Sequence, residues 1–182
     1  MDIRPTSDRL REALFNVLTA GNPDALDGTN WIDLYAGTGA VGIEALSRGA
    51  AQVYFVEQSA AAVEVIQENL KSLGIGSGME VIQKEVVRAL ARFKKEANTF
   101  DFVFLDPPYR LQDSYRDTLS RIGDWSSLKT ATIVIAEHEK KFDPGEEFGE
   151  LRRFRMLKQG DAALSFYRRR EATGQGEEYK TG

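Results

Sequence analysis

The fold of this chain is decided by one segment, residues 33–42, which reads Asp33-Leu34-Tyr35-Ala36-Gly37-Thr38-Gly39-Ala40-Val41-Gly42. The segment starts inside a predicted strand, residues 31–35, and runs into a predicted helix, residues 40–47. Its three glycines have the G-x-G-x-x-G spacing, which between a strand and a helix is typical of a loop that binds an adenosine cofactor. The alternative is a glycine turn that only packs the helix on the strand.

Outside this segment, predicted strands and helices alternate. Apolar runs predict strands and amphipathic patterns predict helices, the strands at 53–56, 79–82, 101–105 and 132–136 and the helices at 59–73, 86–95 and 112–122. Short apolar strands with helical crossovers indicate a parallel, doubly wound α/β sheet with helices on both faces. Two later runs, 152–157 and 163–169, predict a C-terminal antiparallel hairpin. We therefore expect a mostly parallel sheet of seven strands.

The two ends of the chain differ from this alternating region. Ser7 is a predicted N-cap, and apolar residues at helical spacing follow it, namely Leu10, Ala13, Leu14, Val17 and Leu18. The tail after residue 170 contains almost nothing apolar and is predicted to be disordered. We expect one domain over residues 1–170, with residues 1–20 as its opening helix segment and residues 171–182 as the tail.

Composition excludes several classes of protein. With no Cys and a single His, the chain has no thiolate nucleophile and no usual zinc cluster, so we expect no metal. The sequence has no apolar stretch of about 18 residues and no basic-then-apolar leader, which predicts a cytoplasmic protein with no membrane partner. The net charge is -4, so a nucleic acid would have to meet a local basic face.

Two acidic residues specify the cofactor site further. Glu57 lies twenty positions after Gly37 at the end of the second strand, where it can accept both ribose hydroxyls of an adenosine. Asp33 would repel a pyrophosphate but could pair with the ammonium of a methionine moiety, which favours S-adenosylmethionine over a dinucleotide. The other predicted cofactor residues are those of the loop and of three later strand ends: Tyr35, Ala36, Gly37, Thr38, Gly39, Gln58, Glu85, Val86 and Asp106.

The tetrapeptide Asp106-Pro107-Pro108-Tyr109 ends the apolar run of the fourth strand. Two prolines force a rigid turn with free carbonyls. Asp106 and the Pro107 carbonyl can then accept the two hydrogens of a planar amine, while the Tyr109 ring covers the base that carries it. The alternative is a strand end with a capping Asp, two loop prolines and a half-buried Tyr.

Four segments together carry a family resemblance: residues 4–16, which start with Arg4-Pro5-Thr6-Ser7, residues 33–39, residues 106–109, and the predicted last strand, Ala163-Leu164-Ser165-Phe166-Tyr167. The chain resembles the RsmD family of 16S ribosomal RNA guanine-N2 methyltransferases over residues 4–170. The resemblance implies a class I, Rossmann-like methyltransferase fold, S-adenosylmethionine as donor, and a guanine amine in small-subunit rRNA as acceptor. Family members usually have a basic segment upstream of the Arg-Pro-Thr motif, whereas this sequence starts three residues before it. The resemblance therefore does not extend to the part of the RNA-binding surface that such a segment supplies.

On this reading Asp106, Pro107 and Tyr109 are the catalytic residues, and RNA is bound by Arg4, Arg9, Arg11, Pro108 and Tyr109. The arginines at the other end of the chain are expected to flank the same edge, namely Arg152, Arg153, Arg155, Arg168, Arg169 and Arg170. His138 is predicted to be a surface residue held by neighbouring acids. Trp31 and Phe104 are predicted to lie in the core.

Other functions remain open at this point. A turn that holds a planar amine also suits adenine N6 in DNA or RNA and a glutamine amide in a protein. The glycine loop alone would also suit a nicotinamide oxidoreductase. A catalytically silent RNA-binding protein is disfavoured by an intact Asp106. The expected partner is 16S rRNA or the small ribosomal subunit, and the expected oligomeric state is a monomer.

Overall fold

The computed structural model of the chain describes residues 8–108 and 110–170. The predictions for Arg4, Ser7, Tyr109 and the tail lie outside these residues. Within them are five helices, α1 (Asp8–Leu18), α2 (Ala40–Ser47), α3 (Ala60–Ser72), α4 (Val86–Lys95) and α5 (Gln112–Gly123), and eight strands, β1 (Asn30–Leu34), β2 (Gln52–Glu57), β3 (Met79–Gln83), β4 (Phe102–Leu105), β5 (Ile133–Glu139), β6 (Glu147–Phe148), β7 (Leu151–Gln159) and β8 (Ala162–Arg169).

The described strands form one sheet in the order β3-β2-β1-β4-β5-β8-β7-β6. The first five in this order pair in parallel, and the last three pair antiparallel. The predicted α/β class and the C-terminal hairpin are confirmed, but the predicted number of seven strands is wrong. The extra strand, β6, has only two residues and pairs with β7 at the sheet edge. A strand of two residues has no alternating pattern that a sequence can reveal.

Helices cover both faces of the sheet, as the doubly wound prediction requires. One face packs against α4 and α5, and the other packs against α1, α2 and α3. On the second face the Trp31 ring stacks on Phe102 at 4.6 Å between centroids and approaches Phe15 at 5.7 Å. Trp31 and Phe104 are buried, which confirms their predicted place in the core.

The order in which the chain adds strands to the sheet reverses between β1 and β4. From β1 the chain proceeds outward to β2 and β3 on one side, and then returns to β4 on the other side. Leu34 at the end of β1 lies opposite Leu105 at the end of β4. In open α/β sheets the crevice at such a reversal, at the carboxyl ends of the strands, is where ligands bind. The glycine loop and the Asp106 turn both start at this crevice.

The C-terminal hairpin runs away from that crevice. Ala162, at the start of β8, lies opposite Glu139 at the carboxyl end of β5, whereas Tyr167 lies opposite Val134 near the beginning of β5. Arg152 pairs with Arg168 at this far end. The expectation that the hairpin arginines flank the active-site crevice is therefore wrong. Because β8 is antiparallel, it carries them to the end of the sheet opposite the carboxyl ends of the parallel strands.

The prediction of a surface position for His138 is also wrong. β5 continues to Glu139, and strand alternation places His138 on the same face as the core residues Val134 and Ala136. Its side chain is 1% exposed. Nδ1 donates to the Glu139 carbonyl at 2.9 Å, so in the neutral ring Nε2 accepts from Ser165 Oγ at 2.9 Å. Burial lowers the pKa of His138.

This lowered pKa predicts a loss of stability in mild acid. As the pH falls through the ordinary His pKa of 6.5, the unfolded chain binds a proton that the folded imidazole resists. The contribution is fully present above that pH and declines below it. We expect His138→Gln to lose less unfolding free energy than the parent between about pH 7.5 and 5.5 in urea titrations. Equal losses in the two proteins would mean that another group causes the acid sensitivity.

Candidate active site

The glycine loop combines a tight turn with close helix packing. Gly39 precedes α2 with a φ of 77°, a left-handed value that favours glycine. Its N–H donates to the Ala36 carbonyl at 2.7 Å, which closes the turn. A Cβ on Gly42 would lie 2.3 Å from a ring carbon of Phe55, so only glycine lets α2 pack this closely on β2. The packing role and the loop geometry are thus both present.

Side chains from two other helices hold the loop in place. Tyr35 has a φ of 60°, an unusual value for a bulky residue, and its hydroxyl lies 2.8 Å from Thr118 Oγ1 on α5. Asn69 on α3 donates to the Thr38 carbonyl at 3.0 Å. Sequence analysis missed both Thr118 and Asn69, because no local pattern links them to a loop 83 and 31 residues away.

Glu57 ties the glycine loop to the start of α3. Its Oε2 accepts from the Gly37 N–H at 3.0 Å, and its Oε1 accepts from the Ser59 N–H at 2.9 Å. A carboxylate has about four acceptor positions, so each oxygen keeps capacity for one more donor. The Glu57 carboxylate therefore keeps acceptor positions for the two hydroxyls of a ribose, and its ribose role stays a prediction.

Asp33 is buried beneath the loop, with 2% of the residue exposed. Its Oδ2 accepts from the Gly42 N–H at 2.9 Å. Burial raises the pKa of Asp33 to about 8, and the charges of Glu57 and Glu137 add to the rise, although the Gly42 hydrogen bond opposes it. The sequence argument treated Asp33 as an anion, but in this structure the carboxyl is mostly protonated at neutral pH.

The Asp106 turn lies directly beside the glycine loop. Asp106 is half-buried, and its N–H donates to the Leu34 carbonyl at 3.4 Å. Pro107 is buried, whereas Pro108 is exposed. The buried Tyr115 hydroxyl donates to the Glu137 carbonyl at 2.9 Å and lies 3.3 Å from the Pro107 carbonyl. Tyr115 thus supports the turn from α5, a contact that sequence analysis did not identify.

Four acids gather at the carboxyl ends of neighbouring strands. Asp33 is in β1, Glu57 ends β2, Asp106 follows β4, and Glu137 is in β5. Glu137 is also buried. The negative charges of Glu57 and Glu137, which help to raise the pKa of Asp33, suit a cationic ligand, and such a ligand would favour ionisation of Asp33. S-adenosylmethionine carries a sulfonium and an ammonium, so the acids present fit that cofactor better than they fit a pyrophosphate.

The other predicted site residues lie at more exposed positions. Gln58 is exposed next to Glu57, and Glu85 is exposed at the start of α4, where it pairs with Arg88 at 3.7 Å. Val86 is buried. The end of β3 lies beside Glu57, since Gln83 is its register partner. The structure therefore brings the predicted β3 segment next to Glu57.

The two described arginines of α1 differ in their surroundings. Arg9 is exposed. Arg11 donates to Asp8 at 2.9 Å and lies 4.0 Å from Glu44 on α2. Of the two, Arg9 has the more accessible cation.

Within the described residues, no three or more His, Asp or Glu side chains are arranged so that they could hold a metal ion. None of the helices in that part of the chain has the length and hydropathy to cross a membrane.

Comparison with known proteins identifies the family. Residues 1–168 match the family described as conserved hypothetical protein 95. The chain belongs to this family, the RsmD family. Ribosomal RNA small subunit methyltransferase D of Escherichia coli (strain K12) is 34% identical over 137 residues, which are 75% of this chain and 65% of that protein. YlbH of Bacillus subtilis (strain 168) is 33% identical over 167 residues, 92% of this chain and 88% of YlbH.

Solved structures agree with this assignment. The yhhF protein of Escherichia coli superimposes with a TM-score of 0.77 at 28% identity, covering 92% of this chain and 89% of yhhF. The fold is that of the class I S-adenosylmethionine-dependent methyltransferases, as the resemblance implies. The alignment with the Escherichia coli rRNA methyltransferase covers just under two thirds of that protein's length.

The contacts of Glu57 predict its effect on cofactor binding. Glu57→Ala removes both the hydrogen bond to the Gly37 N–H and the acceptors for the ribose hydroxyls. S-adenosylmethionine binding should therefore weaken by about 1.5 to 3 kcal/mol. Glu57→Gln keeps one acceptor oxygen and should lose less. Calorimetric titration measures both affinities, and thermal unfolding checks the fold. An unchanged affinity in a folded Glu57→Ala protein would remove this residue from the site.

The raised pKa of Asp33 predicts a variant that is more stable but binds cofactor less well. Its contribution to stability is present at low pH and is lost as the pH rises toward 8, because the unfolded carboxyl ionises from 3.8 upward. Asp33→Asn keeps an acceptor for Gly42 and cannot ionise. At pH 7.5 it should unfold with a free energy higher by more than about 1 kcal/mol, since one pKa unit corresponds to about 1.4 kcal/mol.

Two measurements test the Asp33 prediction. The stability gap between Asp33→Asn and the parent should close as the pH falls toward the ordinary Asp pKa of 3.8. Calorimetry should show a lower affinity for S-adenosylmethionine, because the amide has no charge to offer the ammonium. A gap that stays constant with pH would contradict the raised pKa.

Proposed function

We propose that this chain transfers a methyl group from S-adenosylmethionine to the exocyclic N2 amine of a guanine in small-subunit rRNA. Membership of the RsmD family makes it an rRNA methyltransferase that uses S-adenosylmethionine. The observation that carries transfer to a planar amine is the contact between two strand ends: Leu34 lies opposite Leu105, and the Asp106 N–H reaches the Leu34 carbonyl. The amine-holding turn is therefore next to the cofactor loop. The choice of guanine N2 among planar amines rests on the resemblance to the RsmD family.

The residues of the loop would hold the cofactor. When bound, S-adenosylmethionine supplies an electrophilic methyl group on a sulfonium. Glu57 would accept the ribose hydroxyls, and the backbone of the loop from Tyr35 to Gly39 would line the methionine moiety. Asp33 would face the ammonium, which would lower the pKa of its buried carboxyl. Glu85, Val86 and Gln58 would border the adenosine.

Asp106 and Pro107 would orient the acceptor. The lone pair of the guanine amine is delocalised into the ring, so the amine is a poor nucleophile. Accepting its two hydrogens, at the Asp106 carboxylate and the Pro107 carbonyl, would direct the lone pair toward the methyl group, and most of the rate would come from this positioning. Asp106 can take up the proton that the amine loses after it has gained the methyl group.

The RNA around the target base would be bound by residues of the Asp106 turn and of the N-terminal segment. Tyr109 would stack on a base flipped out of the RNA, and Pro108, exposed beside it, would contact the same nucleotide. Arg9, with Arg4 and Arg11, would contact phosphates. We propose that residues 1–170 act as one domain, as a monomer in the cytoplasm and without a metal.

One experiment tests the reaction and separates its alternatives. Small ribosomal subunits that lack the modification are incubated with the protein and labelled S-adenosylmethionine, and the nucleosides are analysed by mass spectrometry. N2-methylguanosine in the small-subunit rRNA supports the proposal. N6-methyladenosine in the RNA, or label in the subunit proteins instead of the RNA, would replace it with another amine acceptor, and the absence of any transfer would refute methyltransferase activity on this substrate.

Asp106 is predicted to matter for turnover rather than for cofactor affinity. Asp106→Ala should bind S-adenosylmethionine nearly as the parent does but lose activity by on the order of a hundredfold or more, since loss of positioning affects mainly kcat. Asp113→Ala, which removes an exposed acid from the first turn of α5, is the matched control and should stay active. If Asp106→Ala weakened cofactor binding as strongly as activity, its role would lie in the cofactor site.

The stacking role of Tyr109 predicts different outcomes for two substitutions. Tyr109→Phe keeps the ring and should retain activity, whereas Tyr109→Ala should lose a stacking contribution of about 1 to 3 kcal/mol. Steady-state methylation assays on the same rRNA measure both. Equal losses would mean that the hydroxyl, and not the ring, is required.

A further inference from the structure

A basic groove with an aromatic floor lies on the hairpin, away from the active-site crevice. It has a volume of about 600 Å³ and is formed mainly by Phe154 and by arginines of β7 and β8. Phe154 occupies a bulge in β7, between Arg153 and Arg155, and is 47% exposed. Among the exposed large hydrophobic residues of the described part of the chain, Phe154 is the only aromatic one. A single exposed ring does not by itself indicate a binding site, so its neighbours decide.

The contacts of Phe154 form a stacked arrangement. The Arg168 guanidinium lies over its ring at 4.4 Å from the centroid. The buried Phe166 ring supports it from the core side at 6.3 Å. Phe154 is thus held by two neighbours while nearly half of it remains open. An exposed ring paired with a guanidinium is the arrangement on which nucleic-acid bases stack.

The charges around the ring are mostly positive. Arg152 lies opposite Arg168 and Arg155 lies opposite Phe166, so these side chains share one face of the sheet. Arg155 and Arg168 form no ion pair within the described residues. Glu147 offsets part of the charge, because it pairs with Arg170 and lies 3.8 Å from Arg152. On a chain with a net charge of -4, this is a local concentration of cations.

Two other arginines at the groove stabilise the hairpin instead. Arg153 is nearly buried and forms an ion pair with Asp143 and another with Glu146 at 3.5 Å. Arg169 donates to the carbonyls of Ser126 at 2.7 Å and Leu128 at 3.1 Å. These contacts anchor β7 and β8. Arg152, Arg155 and Arg168 do not take part in them and are exposed to solvent.

We propose that this groove, lined by Phe154, Arg152 and Arg168, binds RNA at a second place on the substrate, together with Arg155 on the same face of the sheet beside it. This place is distant from the nucleotide that is methylated. A base would stack on Phe154 beside Arg168, and the three arginines would contact phosphates. The inference rests on the proposed rRNA substrate. The inference goes beyond that proposed function, because the groove and the Asp106 turn lie toward opposite ends of the strands.

The register of the sheet gives the separation. Ser165 is level with Leu105 through their common partner Ala136. Asp106 lies one residue to one side of this level, and Arg168 lies three residues to the other. These four residue steps correspond to about 13 Å along the strands, and the two intervening strand spacings add about 10 Å across them. An RNA that occupies both places must therefore extend well beyond the target nucleotide.

Binding of small-subunit rRNA at several salt concentrations tests the proposal. Phe154→Ala should weaken binding about fivefold or more without changing the salt dependence, because stacking releases no counterions. Arg168→Ala should weaken binding and also make the slope of log K against log salt shallower by somewhat less than one unit. Phe154→Tyr keeps a ring and should bind as the parent does.

The control is Arg121→Ala, which removes an exposed arginine of α5 on the opposite face of the sheet and should leave RNA affinity unchanged. Calorimetry with S-adenosylmethionine checks that every variant is folded. Parent-like affinity and slope in both Phe154→Ala and Arg168→Ala would overturn the inference, even if the parent methylates rRNA. Loss of binding to intact subunits but not to protein-free rRNA would also overturn it, because the groove would then recognise a ribosomal protein.

Discussion

The parallel pairing of β1 with β4 is the constraint on which the rest of the site depends. Because Leu34 lies opposite Leu105, the loop after β1 and the turn after β4 begin at the same height in the crevice. A slip of one residue would turn every side chain of β4 to the other face and bring Asp106 out of line with the loop. Both strands are apolar and buried on two faces, so the core fixes this register strongly.

The loop that the register positions is held by polar groups with unusual surroundings. Tyr35 adopts a left-handed φ, Asp33 is buried with a raised pKa, and Glu57 uses both oxygens on backbone N–H groups. The left-handed φ and the buried carboxyl destabilise the folded chain, and the two hydrogen bonds of Glu57 restrict the conformations of the loop. They persist because the surrounding sheet and helices hold them, and they keep the loop in one shape before any ligand arrives.

Local patterns were sufficient to predict the helices, the glycine loop, the Asp106 turn and every strand except the two-residue β6, since each depends on neighbouring residues. They did not identify Asn69, Thr118 or Tyr115, which reach the loop and the turn from other elements. His138 was misplaced because the predicted strand ended three residues too early, and alternation beyond that point puts the ring in the core. A contact made across the sheet leaves no periodic signal in the sequence, and only the fold reveals it.

The direction of β8 separates two charge clusters that the sequence places close to each other. Acids collect at the carboxyl ends of the parallel strands, while the hairpin carries its exposed arginines toward the opposite ends of these strands. The acidic edge suits a cationic cofactor but repels RNA phosphates, so little of the affinity for RNA can come from the crevice itself. Cations outside the crevice would then have to supply it, and we propose Arg9 on α1 and the groove around Phe154 for this role. In the proposed complex the target base would enter an acidic site while its phosphates would be held by arginines elsewhere.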